Sequence, residues 1–149
     1  MTRRAGLAAC IGLMIAVIAL SALPAFAQSS DEVAINRRVD GLYQSIAKRD
    51  VTGYMAALQT DAVRAIGTNV AVGRSAIEKV VAAALAAPGT PPKFTRHSTR
   101  LLSPTTAIVH GVTDDPNTNR QTGHAIFTLV KEGNDWLIAA FQTAGTPTP

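Results

Sequence analysis

Three histidines, His97, His110 and His124, fall one on each of three successive apolar segments rich in β-branched residues. Histidine is the side chain whose charge changes near neutral pH, so such a set invites proton transfer or the orientation of a polar ligand atom. Tyr54 and Gln142 add a phenol and an amide, and Trp136 adds an indole N–H. None of the positions expected to face a pocket from the last three of the segments read as strands is Asp or Glu. Asp114 and Asp115 lie where a solvated turn is expected, which argues against a carboxylate-based mechanism and leaves histidine as the proton carrier.

The elements that must position these groups are strands. Residues 123–130 and 136–143 have strand length and composition, and the polar segment 131–135 between them, with Gly133 and Asn134, reads as a hairpin turn. Strict alternation places His124, Ile126, Thr128 and Val130 on one face with Trp136, Ile138, Ala140 and Gln142. That face is apolar near the turn and polar at the far end, as a pocket wall would be. The opposite face, with Ala125, Phe127, Leu129, Leu137, Ala139 and Phe141, is unusually apolar for an outer surface and is expected to pack against a second copy. A register in which His110 faces His124 and Ile108 faces Ile126 brings His110 to the pocket face, and a slip of one residue sends it to the other. Adding His97 takes a second register assumption across Ser103-Pro104. Three aligned neutral imidazoles would suit zinc, but no metal site and no cofactor are expected.

Before the strands the periodicity is helical. Ser29 and Glu32 have capping-box spacing, and Ile35, Val39, Leu42, Tyr43 and Ile46 then recur on one face, predicting a helix over 31–48. Asp50 caps a shorter helix carrying Tyr54 and ending near Gln59. Residues 63–66 and 70–72 flank a short hairpin, with Asp61 as a turn residue. A third helix opens at Gly73-Arg74, where Ser75 and Glu78 repeat the capping spacing, and stops at Pro88-Gly89. Gly73 is expected to make a backbone turn and Arg74 to fix the helix start. Segments 93–102, 105–113, 121–130 and 136–143 then form an antiparallel meander, and helices grouped before strands predict an α+β layer fold.

The N-terminus carries Arg3 and Arg4, a charge-free apolar run, Pro24 and Ala25-Phe26-Ala27. This is a secretory signal, with cleavage expected after Ala27, which leaves one domain over 28–149 and predicts a secreted or periplasmic protein. Cys10, the only cysteine, would leave with the signal, excluding disulfides and thiol chemistry from the mature chain. Of 14 Lys plus Arg against 10 acidic residues, two basic residues belong to the signal. The small remaining excess, without aromatic interleaving, argues against nucleic acid as a partner, and no membrane contact is expected after cleavage.

Gly73-Arg74-x-x-Ile77 opening a helix, residues 101–111 reading LLSPTTAIVHG and residues 130–143 reading VKEGNDWLIAAFQT resemble the SgcJ/EcaC-type group of the SnoaL-like, nuclear transport factor 2-like superfamily. Asp50, Tyr54 and Asp61-Ala62 fit the same pattern. The resemblance implies a cone-shaped roll: three N-terminal helices packed on a curved, mostly antiparallel sheet, a cavity between them, and often a dimer through the sheet. The superfamily hosts isomerases, cyclases, dehydratases, ligand binders and association domains, so fold alone does not choose. Its cyclases and isomerases commonly use an aspartate or a His-Asp pair in the cavity, a pattern this sequence departs from.

The expectation is a protein that binds a small, largely apolar molecule. His110, His124, Gln142 and Tyr54 would orient its polar atoms against a wall of Trp136, Ile126 and Ile138. The alternatives are an isomerase, cyclase or dehydratase with His110 or His124 as catalytic base, and a structural homodimerisation module.

Overall fold

The computed structural model describes residues 29–116 and 122–145. The expected signal segment with Cys10, part of the loop after Asp115, and the tail from 146 lie outside the described residues.

Helix α1 (Ser30–Lys48) starts where the capping spacing places it, with the Ser29 hydroxyl accepting the Glu32 N–H at 3.1 Å. Asp31 and Glu32 favour its positive end, and Ile35, Val39 and Leu42 are fully buried. Asp50 caps α2 (Val51–Ala56) by accepting the Gly53 N–H at 2.9 Å. Strand β1 (Leu58–Ile66) begins earlier than its apolar pattern suggests, so Asp61 sits within a strand and not in a turn. It pairs antiparallel with β2 (Asn69–Val72). Helix α3 (Arg74–Ala86) is capped by the Gly73 backbone at φ 80° without a side-chain hydrogen bond. The Ser75–Glu78 spacing therefore falls inside the helix and serves no cap, and Arg74 is exposed. Strands β3 (Lys93–Ser103), β4 (Thr106–Asp114), β5 (Thr122–Glu132) and β6 (Asp135–Gly145) follow.

The sheet order is β2-β1-β6-β5-β4-β3. The last four strands form the expected meander, and a parallel pairing of β1 with β6 joins it to the first hairpin. All three helices lie on one face. Helix α1 packs against β3 and β6, and α3 packs against β1 and β2.

Which residues face the helices differs from strict alternation for two reasons. The closing turn has two residues, not five: Glu132 pairs with Asp135 and Lys131 with Trp136, and Gly133 takes the positive φ of 61° that the first position of a type II′ turn requires. Trp136 thus shares a face with Lys131 and Leu129, not with Val130. The register then shifts between Thr128–Ala140 and Leu129–Ile138, so one extra residue, Ala139, lets both Ile138 and Phe141 face inward.

The inner face consequently carries Ala125, Phe127, Leu129, Trp136, Ile138 and Phe141, all buried. The expectation that Ala125, Phe127, Leu129 and Phe141 form an outer contact face is corrected; of that set only Leu137 and Ala139 stay out of the core. Burying Phe127 and Phe141 removes more apolar area from water than burying Ile126 and Gln142. Their rings stack at 4.6 Å, and Phe94 meets Phe127 edge-on at 5.3 Å. Gly111 makes this possible, because a Cβ there would collide with the Phe94 ring and the Thr95 carbonyl. At the turn end, the Trp136 indole N–H donates to Asp31 Oδ1 at 3.0 Å, and Lys131 Nζ donates to the same oxygen at 2.7 Å. The bonds from Lys131 and then Trp136 hold the Asp31 carboxyl below the ordinary carboxylate range.

Candidate functional site

Between the helices and the β1–β6 end of the sheet lies a cavity of about 680 Å³. Its roof is Tyr43 and Ile46 of α1, Tyr54 of α2, and Val81 and Leu85 of α3. Its floor is Arg64, Ile66, Phe141 and Thr143 on adjacent strands, with Thr113 and Gly123 at one side. Residues 87–92 edge the mouth. The volume falls in the range of roughly 300–1,000 Å³ typical of small-molecule sites, and the pattern of an apolar wall with a few polar groups is theirs too.

Each polar group has a local cause. Tyr43 projects from the α1 face that carries Leu42 and Ile46, and its hydroxyl meets Thr113 Oγ1 at 2.7 Å. Burial pushes its phenol up to about 12, against the pull of that hydrogen bond. Tyr54 is buried on α2, and burial raises its phenol too, while the charge and hydrogen bonding of the nearby Arg64 guanidinium act the other way. Arg64 comes from β1 at the position between Ala62 and Ile66, where alternation directs it to the helices. Its Nε is buried without a hydrogen-bond partner, as is Thr143 Oγ1 on the neighbouring strand. Arg49 guards the mouth. It closes α1 in the left-handed conformation at φ 56°, and its guanidinium donates to the carbonyls of Leu85, Ala87 and Gly89 at 2.7, 2.6 and 3.2 Å. Those bonds satisfy carbonyls that the end of α3 leaves open.

Of the residues expected to bind ligand, Tyr54 lines this cavity. Trp136 and Ile138 are core residues nearer the turn end of the hairpin, 2% and 0% exposed. His110, His124, Ile126 and Gln142 belong to the outer face, on the side of the sheet away from the helices, where Ile126 is 43% exposed. The expected pocket face is therefore corrected: its register was shifted, with His110 opposite Ile126 and His124 opposite Val112. A shift of two residues keeps both histidines on one face, but that face is the outer one. His97, displaced by a register shift in β3, joins them. The rings of His97 and His110 meet edge-on at 5.5 Å, and those of His110 and His124 stack at 5.5 Å with Nε2 and Nδ1 3.3 Å apart. Among the described residues no group of three or more His, Cys, Asp or Glu is arranged to hold a metal ion.

Arg64, Arg49 and Thr143 are the cavity residues that sequence reasoning missed. Arg64 left a signal, a lone cation at the inward parity of an apolar strand, whereas Arg49 and Thr143 depend on contacts between distant elements.

No family model and no curated protein matches the chain. Solved structures do. A domain of unknown function with a cystatin-like fold from Nostoc punctiforme superposes with a TM-score of 0.72 at 16% identity, covering 82% of this chain and 81% of that one. A nuclear transport factor 2-like protein of unknown function from Pseudomonas putida gives 0.65 at 17% identity over 80% and 88%. A ketosteroid isomerase-like protein from Erwinia carotovora atroseptica gives 0.66 at 17% identity over 80% and 99%. At these identities the likeness is one of fold: helices on a six-stranded, mostly antiparallel sheet, as in nuclear transport factor 2-like proteins.

Proposed function

We propose that this nuclear transport factor 2-like chain binds a small, largely apolar molecule in the cavity between α1, α3 and the inner face of the sheet. The observation that carries this reading is the cavity itself, about 680 Å³, with an apolar wall interrupted by polar groups that include Tyr43, Tyr54, Arg64 and Thr143. The N-terminal signal pattern of the sequence places this activity outside the cytoplasm in the same proposal. An acid–base reaction driven by a pocket histidine loses its support, because no histidine lines the cavity. The isomerase-like relative shares the fold and not, at 17% identity, a demonstrated chemistry. Nile red, a neutral dye, should fluoresce on binding the protein, and Ala84→Trp at the mouth should abolish the signal without changing the far-UV circular dichroism. Equal dye binding by native protein and variant would reject the cavity as the site.

A specific observation favours homodimerisation alongside ligand binding. The outer face exposes Val63, Val70, Val72 and Ile126. The pairing registers align Val72, Val63, Ala140, Thr128 and Ile108 in one cross-strand row and Val70, Ala65, Gln142, Ile126 and His110 in the next, neither containing a carboxylate. The first row ends at the exposed Arg100, which pairs with Ile108, and the apolar stretch before it suits self-association through an isologous contact.

A further inference from the structure

The arginine in the cavity wall points to the chemical class of its ligand. Resting on the reading of the cavity as a binding site, we infer that the ligand carries a carboxylate, which pairs with Arg64 while its apolar body fills the space under Tyr43, Ile46 and Leu85. Arg64 stands on β1, an interior strand held by β2 on one side and β6 on the other, so its guanidinium is presented from a rigid position. Arg64 is half-buried, and a guanidinium cannot shed its proton in a protein, so its charge stands at the cavity wall. The three ion pairs among the described residues, Arg38–Asp135, Arg96–Asp40 and Lys131–Asp31, all lie elsewhere. Among the described residues the charged lining is Arg49, Arg64 and Asp115, an excess of positive charge.

The geometry of the donor also favours a carboxylate over a point anion. The N–H groups of a guanidinium are coplanar and come in parallel pairs that match the two oxygens of a carboxylate, and Arg64 lines the cavity. Thr143 sits one diagonal away, since Ile66 pairs with Thr143 and Arg64 with Phe141, and its buried hydroxyl is unpartnered. Tyr54 reaches the same spot from α2. A carboxylate here would accept from the guanidinium and from either hydroxyl, and the apolar surroundings strengthen each bond.

Calorimetric titration of the full chain with decanoate and with decanol at neutral pH tests the assignment. Decanoate should bind at least tenfold more tightly than decanol. Arg64→Met, which keeps the apolar length and removes the charge, should bring decanoate down to the affinity of decanol. Arg64→Lys should restore only part of the preference. Equal binding of the two probes by the native protein, a comparison that does not depend on any variant folding, would overturn the carboxylate assignment and leave the cavity reading intact. A decanoate preference that survives in Arg64→Met would also overturn it. Binding of neither probe would end both readings.

Discussion

The inner and outer faces of the sheet are made from the same strands and adjacent residues, yet they hold different chemistry. Phe127 is fully buried on the inner side and its neighbour Ile126 is 43% exposed on the outer. The inner face near β1 and β6 combines aromatic packing with a half-buried arginine, under tyrosines from α1 and α2. The outer face combines branched aliphatics with the histidine row. Titratable groups that look like a site in the sequence thus lie on the surface away from the cavity, and the cavity is served by residues less obviously chemical. A histidine is no guide to a pocket unless the parity of its strand is known.

The sharpest way to break this contrast is to truncate one residue on each face. Phe127→Ala removes a ring packed against Phe141, Phe94 and Tyr43 and should cost about 3–5 kcal/mol in denaturant unfolding. Ile126→Ala should cost about 1 kcal/mol or less in the monomer. Comparable losses would show that the two faces are equally packed. Next in size, Gly111→Ala should destabilise by about 1–3 kcal/mol, since the new methyl group must displace the Phe94 ring from the sheet. An unchanged melting temperature would remove the close approach from the account.

Association offers a different readout of the outer face. Ile126→Asp should shift sedimentation from dimer to monomer while leaving the far-UV spectrum unchanged, because a carboxylate in an apolar row is tolerated in water and not in a contact. A native protein that sediments as a monomer at micromolar concentration would reject the dimer.

The smallest effects are in the titrations. The chain has two tyrosines, both at the cavity, so tyrosinate absorbance reports on the inner face alone. Tyr43 rises from 10.0 to about 12 because burial favours the neutral phenol. Its contribution to stability is complete below pH 10.0 and is lost as pH rises to about 12, and Tyr43→Phe should flatten that alkaline decline. Two tyrosines ionising at their ordinary value would mean an open cavity. At the acid end, Asp31 lies below its ordinary 3.8, so its contribution is present above that value and disappears as pH falls through the lowered one. Asp31→Asn should weaken the acid dependence and alter the fluorescence of the single tryptophan, whose indole it contacts.

Much of the architecture was legible because its causes are local. Ser29 and Asp50 cap helices through bonds reaching only three residues ahead, and the period of Ile35, Val39 and Leu42 marks a buried face without reference to anything else. The four closing strands follow from composition and turn residues. Of the residues expected to bind ligand, only Tyr54 lines the cavity. Trp136, expected in the pocket wall, is a core residue whose indole N–H donates to Asp31, far away in the chain.

The sequence by itself determined the α+β class, the helix starts, and the succession of strands, since capping, periodicity and turn chemistry act over a few residues. Tertiary structure alone decided which side of each strand faces the helices. A two-residue turn at Gly133 and one extra residue at Ala139 each reverse a side-chain alternation, and neither is fixed by composition. The parallel pairing of β1 with β6 then set Arg64 beside Thr143 and Phe141, a neighbourhood created by a contact between strands far apart in the chain.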